Sequence, residues 1–504
     1  MTLCRSTTIL GALLLLPASA SAYPDLHGIG TPGDPATWGA VCSPLAVVPK
    51  VIHAPGRASQ IDACTPAHPH YPDCMSRVTI PLGDYPDAVC NDGSPGVFYV
   101  REGSGDDIDK WVIHLQGGGS CRTQEDCIER WCGLQGDIPY NANKMSSDWD
   151  NDGSVDLPRW GAADGMADPN PANDFGTWTH VWMYYCSSDS WLGQETLVDY
   201  DASTTLPQFT MAHRGHTILE AARDMLRKVN PNPAWVTDTE RHVPDLDAAT
   251  TVLFTGTSAG AKGAIHNADW FLAPLPAQDK RLVIDANLDV SDAVLALHNI
   301  WVDMTGVPAG GANVLFTSFR AAMDQADWLG WYADINAFVD QSCLAKYGPL
   351  GTMDRCLSFS TLLTLKDGAN KPLIATRSYI RIDLEDPNNA RMWDGAWPGG
   401  EQLTLGNLGP PTDPYDALVL TRETLLQLYP NPANNVSGTF GPRCRKHVGL
   451  EDSQVFSSHK LPNPVVGPIS VHDGLSQWLI APGANNQTVD NANPFAKLSF
   501  GPGC

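Results

Sequence analysis

The chain has 504 residues, 43% hydrophobic and 17% charged, a composition that suits a folded globular protein and excludes a disordered or collagen-like one. Its formal net charge of −24 excludes the basic footprint needed to hold a nucleic-acid backbone or dock to an anionic membrane surface. Low charge with 45 glycines and 40 prolines points to a loop-rich fold rather than a helical bundle.

Taken in chain order, the first expected element is a leader. Arg5 provides a positive start, residues 9–16 form a short apolar run, and Ala18-Ser19-Ala20-Ser21-Ala22 supplies small residues for cleavage before Tyr23. Residues 1–22 therefore read as a signal peptide, and the expected location is extracellular or periplasmic. No later window reaches about 18 apolar residues, so no membrane insertion is expected. Thirteen cysteines are present. With Cys4 in the leader an even number remains, which in an exported chain predicts disulfides, with Cys121–Cys127 and Cys343–Cys356 as local pairs. Zinc is the rival use, but no C-x-x-C or paired histidine spacing supports it.

Residues 23–90, rich in Pro, Gly, His and Cys, read as an irregular disulfide-pinned segment of one catalytic domain spanning 23–504. From Gly96 the pattern changes. Residues 97–100, 111–115, 178–185 and 251–255 are short, nearly continuous β-rich runs, as expected for strands buried on both faces of a mostly parallel sheet. Residues 217–229, TILEAARDMLRKV, place Ile218, Ala221, Ala222, Met225 and Leu226 on one helical face and basic residues at the end. Strands alternating with such helices predict an α/β fold with a doubly wound, mostly parallel sheet.

The run TVLFTGTSAGAKGAIHNADWF carries a strand into Gly256-Thr257-Ser258-Ala259-Gly260 and then a helix. This is the context of a nucleophile elbow, in which a serine sits on a strained strand-to-helix turn of an α/β-hydrolase. Ser258 is the candidate nucleophile. The strand at 111–115 ends in Gln116-Gly117-Gly118-Gly119-Ser120. Consecutive glycines let backbone N–H groups point at a carbonyl oxygen, so Gly118 and Gly119 join Ala259 as candidate oxyanion-hole donors. A phosphate loop is disfavoured because no G-K-[ST] follows.

In order along the chain, HLQGGGSC with the nearby IERW, YYCSSDSWLG, HRGHTILEAARDML, GTSAGAKGAIHNADW and FGPRCRKHVGL resemble the blocks of the pectin acetylesterase family, which includes Notum. The resemblance spans roughly residues 90 to 450 and implies an α/β-hydrolase fold, a Ser–Asp–His triad and no metal or organic cofactor. By that resemblance His447, in Cys444-Arg445-Lys446-His447, is the general base. The acid falls in a late block after Pro372, with Asp383 the first choice and Asp386 the second. Asp285, where the family block reads Asp-Ala-Gly and this chain has Asn287 in place of the glycine, reads as structural.

The implied function is a serine carboxylic ester hydrolase working through an acyl-enzyme, with an acylated carbohydrate or other ester as substrate. Removal of acetyl groups from a polysaccharide such as pectin is the first reading, and a lipid or long-acyl carboxylesterase the alternative. A secreted binding protein without activity is the rival outside enzymes, disfavoured because Ser258 and His447 are both present. A monomer is expected.

Other features have quieter readings. Residues 148–156 carry D-x-D-x-D-G spacing but Arg159 at the twelfth position, so a solvated acidic loop is read ahead of a calcium site. Trp131 and Trp191 could line the pocket or fill the core. Asn267 and Asp269 read as packing or hydrogen-bonding residues, and Asn435 and Asn486 head glycosylation sequons.

Overall fold

The structure, a computed structural model, describes residues 61–62, 75–123, 126–127, 130, 145–147, 164–200, 209–228, 245–289, 328–350, 353–384, 386, 414–429, 434–442, 444, 446–458, 460–461, 468–480 and 487–489. Residues 1–22, expected to be a signal peptide, Trp131, residues 148–156 and Asn486 lie outside the described residues.

Twelve strands are described: β1 (Ile61–Asp62), β2 (Ser76–Thr79), β3 (Val97–Arg101), β4 (Lys110–Leu115), β5 (Thr179–Met183), β6 (Glu195–Tyr200), β7 (Phe209–His213), β8 (Thr251–Thr257), β9 (Asp279–Asp285), β10 (Arg377–Arg381), β11 (Val436–Gly441) and β12 (Gln487–Val489). Ten of them form one sheet in the order β1-β2-β3-β5-β4-β8-β9-β10-β11-β12, and β6 pairs with β7 separately. From β5 through β12 every neighbour in the large sheet is parallel, while β1, β2, β3 and β5 pair antiparallel. The helices are α1 (Gly215–Leu226), α2 (Ala259–Leu272), α3 (Trp328–Asp334), α4 (Gln341–Tyr347), α5 (Phe359–Thr364), α6 (Pro414–Leu428) and α7 (Val471–Ile480). This is the α/β architecture expected, with a mostly parallel sheet.

Strand alternation explains why the runs are apolar throughout. Val252 and Phe254 of β8 face a core shared with Ile218, Leu219, Ala264, Ile265 and Phe271 of α1 and α2. Leu253, between them, faces a second core with Phe175, Phe456, Leu475 and Trp478. Val283 of β9 and Tyr379 of β10 join Leu253, while Leu282, Ile284 and Ile380 join Val252. Successive side chains point to opposite faces, so a strand covered on both sides has no polar register. Each large buried side chain contributes about 1.5–3 kcal/mol relative to exposure.

Helix α1 begins two residues before the expected 217 and buries the expected stripe of Ile218, Ala221, Ala222, Met225 and Leu226. Ser76–Thr79, inside the segment read as irregular, is instead a strand paired with β3. Its local run Arg77-Val78-Thr79-Ile80 is too short to signal a strand without the β3 partner. The two local disulfides, Cys121–Cys127 and Cys343–Cys356, form as expected, and Cys90–Cys186 closes a longer loop. Among the described residues no helix is long and apolar enough to cross a membrane.

Register sets the position of the site. Leu115 of β4 and Ile284 of β9 both lie beside Gly256 of β8, and Asp285 lies beside both Thr257 and Arg381. The strands thus end level, and the loops that follow them converge at one carboxyl edge, where ligands of open parallel sheets bind.

Candidate active site

Ser258 lies between β8 and α2 with φ 57° and ψ −120°, a left-handed conformation that costs a non-glycine residue about 1–3 kcal/mol. The surroundings hold it there. Its N–H donates to Asp285 O at 2.9 Å, and its carbonyl accepts from Asn287 Nδ2 at 3.0 Å. Gly260 has no alternative: a Cβ there would stand 1.9 Å from Leu115 O. The motif's second glycine is therefore a contact requirement between α2 and the end of β4.

His447 meets this serine. Its Nε2 lies 2.7 Å from Ser258 Oγ, within reach for proton transfer. Its Nδ1 lies 3.0 and 2.9 Å from the two carboxylate oxygens of Asp386, which is buried. Burial alone would lower the histidine pKa, but the Asp386 charge and hydrogen bond, helped by Asp285, outweigh it and raise the value.

Asp383, the first choice from sequence, is not brought to the imidazole. Its Oδ1 accepts from Arg381 Nη2 and its Oδ2 from Lys446 N at 2.7 Å. The reason is strand geometry. Asp383 follows Arg381 by two residues just beyond β10, so the two side chains share a face and pair, whereas Asp386 follows the turn at 383–386. Burial pushes the Asp383 carboxyl up to about 7, against the pull of the Arg381 guanidinium and the Lys446 N–H.

Arg381 also reaches Asp285 Oδ1 at 2.9 Å and His447 O at 3.4 Å. Asp285 Oδ2 accepts from Thr257 Oγ1 at 3.0 Å and from Gly449 N and Leu450 N at 2.9 Å each. The backbone on both sides of His447 is thus hung on Asp383, Arg381 and Asp285. Asp285 has the structural place expected of it. Arg381 was missed, because a single basic residue in a strand gives no signal of what it will face.

The glycine loop passes beside the serine. A Cβ on Gly117 would lie 2.4 Å from Thr257 O and 2.9 Å from Ser258 Cβ. Gly118 and Gly119 follow with φ 148° and 70°. Ala259, the first residue of α2, offers one of the helix N–H groups that have no intrahelical acceptor. The loop's entrance is fixed by Trp191, whose Nε1 donates to Gln116 O at 3.0 Å. Trp191 is fully buried, so it serves the core rather than an open pocket wall.

The Y-C-S-S-D block supports the entrance of this loop. Ser188, Ser190 and Trp191 all have positive φ, and the buried Asp189 carboxylate between them accepts from Ser187 Oγ, Trp191 N, Gly193 N and Gly215 N at 2.6–3.1 Å. Burial raises Asp189 to about 6 even so. Asn267 bonds His216 Nδ1, Trp191 O and Gly263 O, and Asp269 holds the Ala375 and Thr376 amides, as their hydrogen-bonding readings expected. The Asn435 amide donates to Ile374 O and Ala375 O at 2.9 Å each. Among the described residues no group of three His, Cys, Asp or Glu could hold a metal.

Residues 75–291 match the family model for pectinacetylesterase. Pectin acetylesterase 11 of Arabidopsis thaliana is 27% identical over 219 residues, 44% of this chain and 45% of that one. Human palmitoleoyl-protein carboxylesterase NOTUM is 29% identical over 185 residues, 36% of this chain and 29% of that one. The chain thus spans less than half the length of these curated relatives. The solved structure of the Wnt deacylase Notum from Drosophila aligns with a TM-score of 0.55 at 20% identity, covering 83% of this chain and 96% of that one, a likeness of fold. The chain is therefore similar to the pectin acetylesterases over residues 75–291 and shares the fold of Notum over most of its length.

Proposed function

We propose that this chain is a secreted serine carboxylic ester hydrolase in which Ser258 is the nucleophile, His447 the general base and Asp386, rather than Asp383, the acid. The observation that carries the reading is the unbroken line from Ser258 Oγ through the His447 ring to the Asp386 carboxylate, with spacings of 2.7 and 2.9 Å. His447 takes the proton as Ser258 Oγ attacks the ester carbonyl, and Asp386 fixes the tautomer and stabilises the imidazolium. Gly118, Gly119 and Ala259 N–H groups receive the oxyanion. Collapse expels the alcohol with the proton from His447, and water then releases the acid by the same steps reversed. No metal or organic cofactor is needed for this chemistry.

The proposed substrate is an acetylated polysaccharide such as pectin, a reading supported by the pectinacetylesterase match. The second reading, a long acyl chain, is supported by the likeness to palmitoleoyl-protein carboxylesterases. The disulfides suit an oxidising, extracytoplasmic location. Ser258→Ala should abolish hydrolysis of p-nitrophenyl acetate while leaving thermal unfolding in place, and a fully active alanine variant would end the proposal. Acetate, butyrate and octanoate esters, run beside acetylated pectin, separate the two substrate readings. A rate that falls with chain length, with acetate released from pectin, supports deacetylation, and the reverse order supports the long-acyl reading.

A further inference from the structure

We propose that Arg130 is a positioning residue for the oxyanion hole, one that turns and polarises the Gly118–Gly119 peptide so that the Gly119 N–H meets the developing negative charge. The inference rests on the esterase reading of Ser258 and extends it to a residue outside the triad and the donors themselves. Arg130 is fully buried, and its Nη1 donates to Gly118 O at 2.6 Å. A guanidinium does not lose its proton in a protein, so this is a permanent charge bonded to a loop carbonyl.

The consequence follows from peptide geometry. In a planar trans peptide the C=O of one residue and the N–H of the next point in opposite directions. Holding Gly118 O on Arg130 therefore sets the direction of the Gly119 N–H. The same bond draws electron density toward the carbonyl oxygen and makes the N–H a stronger donor. An anchor matters at this point because Gly118 and Gly119 have φ of 148° and 70°, and glycines have little steric preference of their own to keep a peptide from turning over. The preceding residue is already pressed against the serine turn, since a Cβ on Gly117 would meet Ser258 Cβ at 2.9 Å.

Arg130 is itself braced. The Cys121–Cys127 disulfide lies between Gly119 and Arg130 in sequence, and Cys121 N donates to Ser188 O at 3.1 Å. The guanidinium carbon stands 5.8 Å from the Tyr185 ring centre, and Tyr185 Oη accepts from Ser190 N at 2.6 Å. The loop, the strained Ser188–Trp191 turn and Arg130 thus form one connected block behind the candidate oxyanion donors.

The test compares wild type with Arg130→Met, Arg130→Gln and Arg130→Lys, scored by kcat, KM and the affinity of a trifluoromethyl ketone. That ketone adds Ser258 Oγ reversibly to its carbonyl carbon, passes the serine proton to His447 and leaves an oxyanion in the hole. A methyl ketone of the same shape reports ground-state binding. The methionine variant should lose about 10- to 100-fold in kcat with KM little changed, because the loss falls on transition-state charge. Its affinity for the trifluoromethyl ketone should fall by the same factor and that for the methyl ketone should not. Lysine, which keeps the charge and one donor, should restore part of both. A variant that keeps wild-type kcat, or that loses kcat while binding the trifluoromethyl ketone as before, overturns the inference. If the methionine variant does not fold, the glutamine and lysine variants decide by the same ratio. Activity surviving in Ser258→Ala would instead remove the underlying reading, and so distinguishes the two failures.

Discussion

Asp383 and Asp386 stand three residues apart after the same strand, yet one holds a backbone and the other an imidazole. Replacing Asp386 by Asn keeps the shape but favours the wrong histidine tautomer, so kcat should fall on the order of 10⁴-fold with little change in melting temperature. Asp383→Asn breaks a fully buried ion pair with Arg381, and should lower stability by about 3 kcal/mol in urea unfolding. It should retain far more activity than the Asp386 variant. The opposite ranking would favour Asp383 over Asp386 as the proposed acid.

The pH profile is a second residue-scale consequence. As the proposed general base His447 has to be neutral to accept the serine proton, and its pKa is raised because Asp386 outweighs the effect of burial. Activity should therefore decline as pH falls through a midpoint above the ordinary histidine value of 6.5. Asp386→Asn removes the charge that favours imidazolium, so its residual activity should show an acid limb moved to lower pH. A kcat/KM profile measured on both proteins checks the sign. An unmoved limb would argue against the pairing.

At the scale of elements, the turn between β8 and α2 depends on how closely α2 approaches β4. Gly260→Ala would drive a methyl carbon to 1.9 Å from the Leu115 carbonyl, a backbone atom with a parallel strand on either side. Such overpacking costs typically 1–3 kcal/mol, and here the helix has to shift. The variant should unfold at lower urea concentration and lose activity, since Ala259 and Ser258 move with the helix. The strands themselves were legible from sequence: 97–100, 111–115 and 251–255 lie within β3, β4 and β8. The short strand β2 was not, because its four residues gain their meaning from pairing with β3.

For the whole molecule, the Cys90–Cys186 bridge joins the segment before β3 to the loop after β5, across 96 residues of sequence. Cross-linking so long a loop removes much unfolded-state freedom, and losing such a bridge typically costs 2–5 kcal/mol. Cys90→Ser with Cys186→Ser should therefore lower the melting temperature by more than loss of the Cys121–Cys127 bridge, which spans 6 residues. Differential scanning calorimetry of the two variants ranks them.

The serine turn, the glycine loop and the two local disulfides could be read directly because each depends on neighbours a few residues away. A strand run, a pair of glycines and a short cysteine spacing impose their geometry through local sterics alone. The His447–Asp386 contact, the Arg381 clamp on the histidine loop and the Cys90–Cys186 bridge belong to tertiary structure. His447 meets Asp386 across 61 residues and Ser258 across 189, and Arg381 meets Asp285 across 96. Those contacts are set by strand register and by the turn after β10. A shift of one residue there would move each side chain to the other face of the sheet.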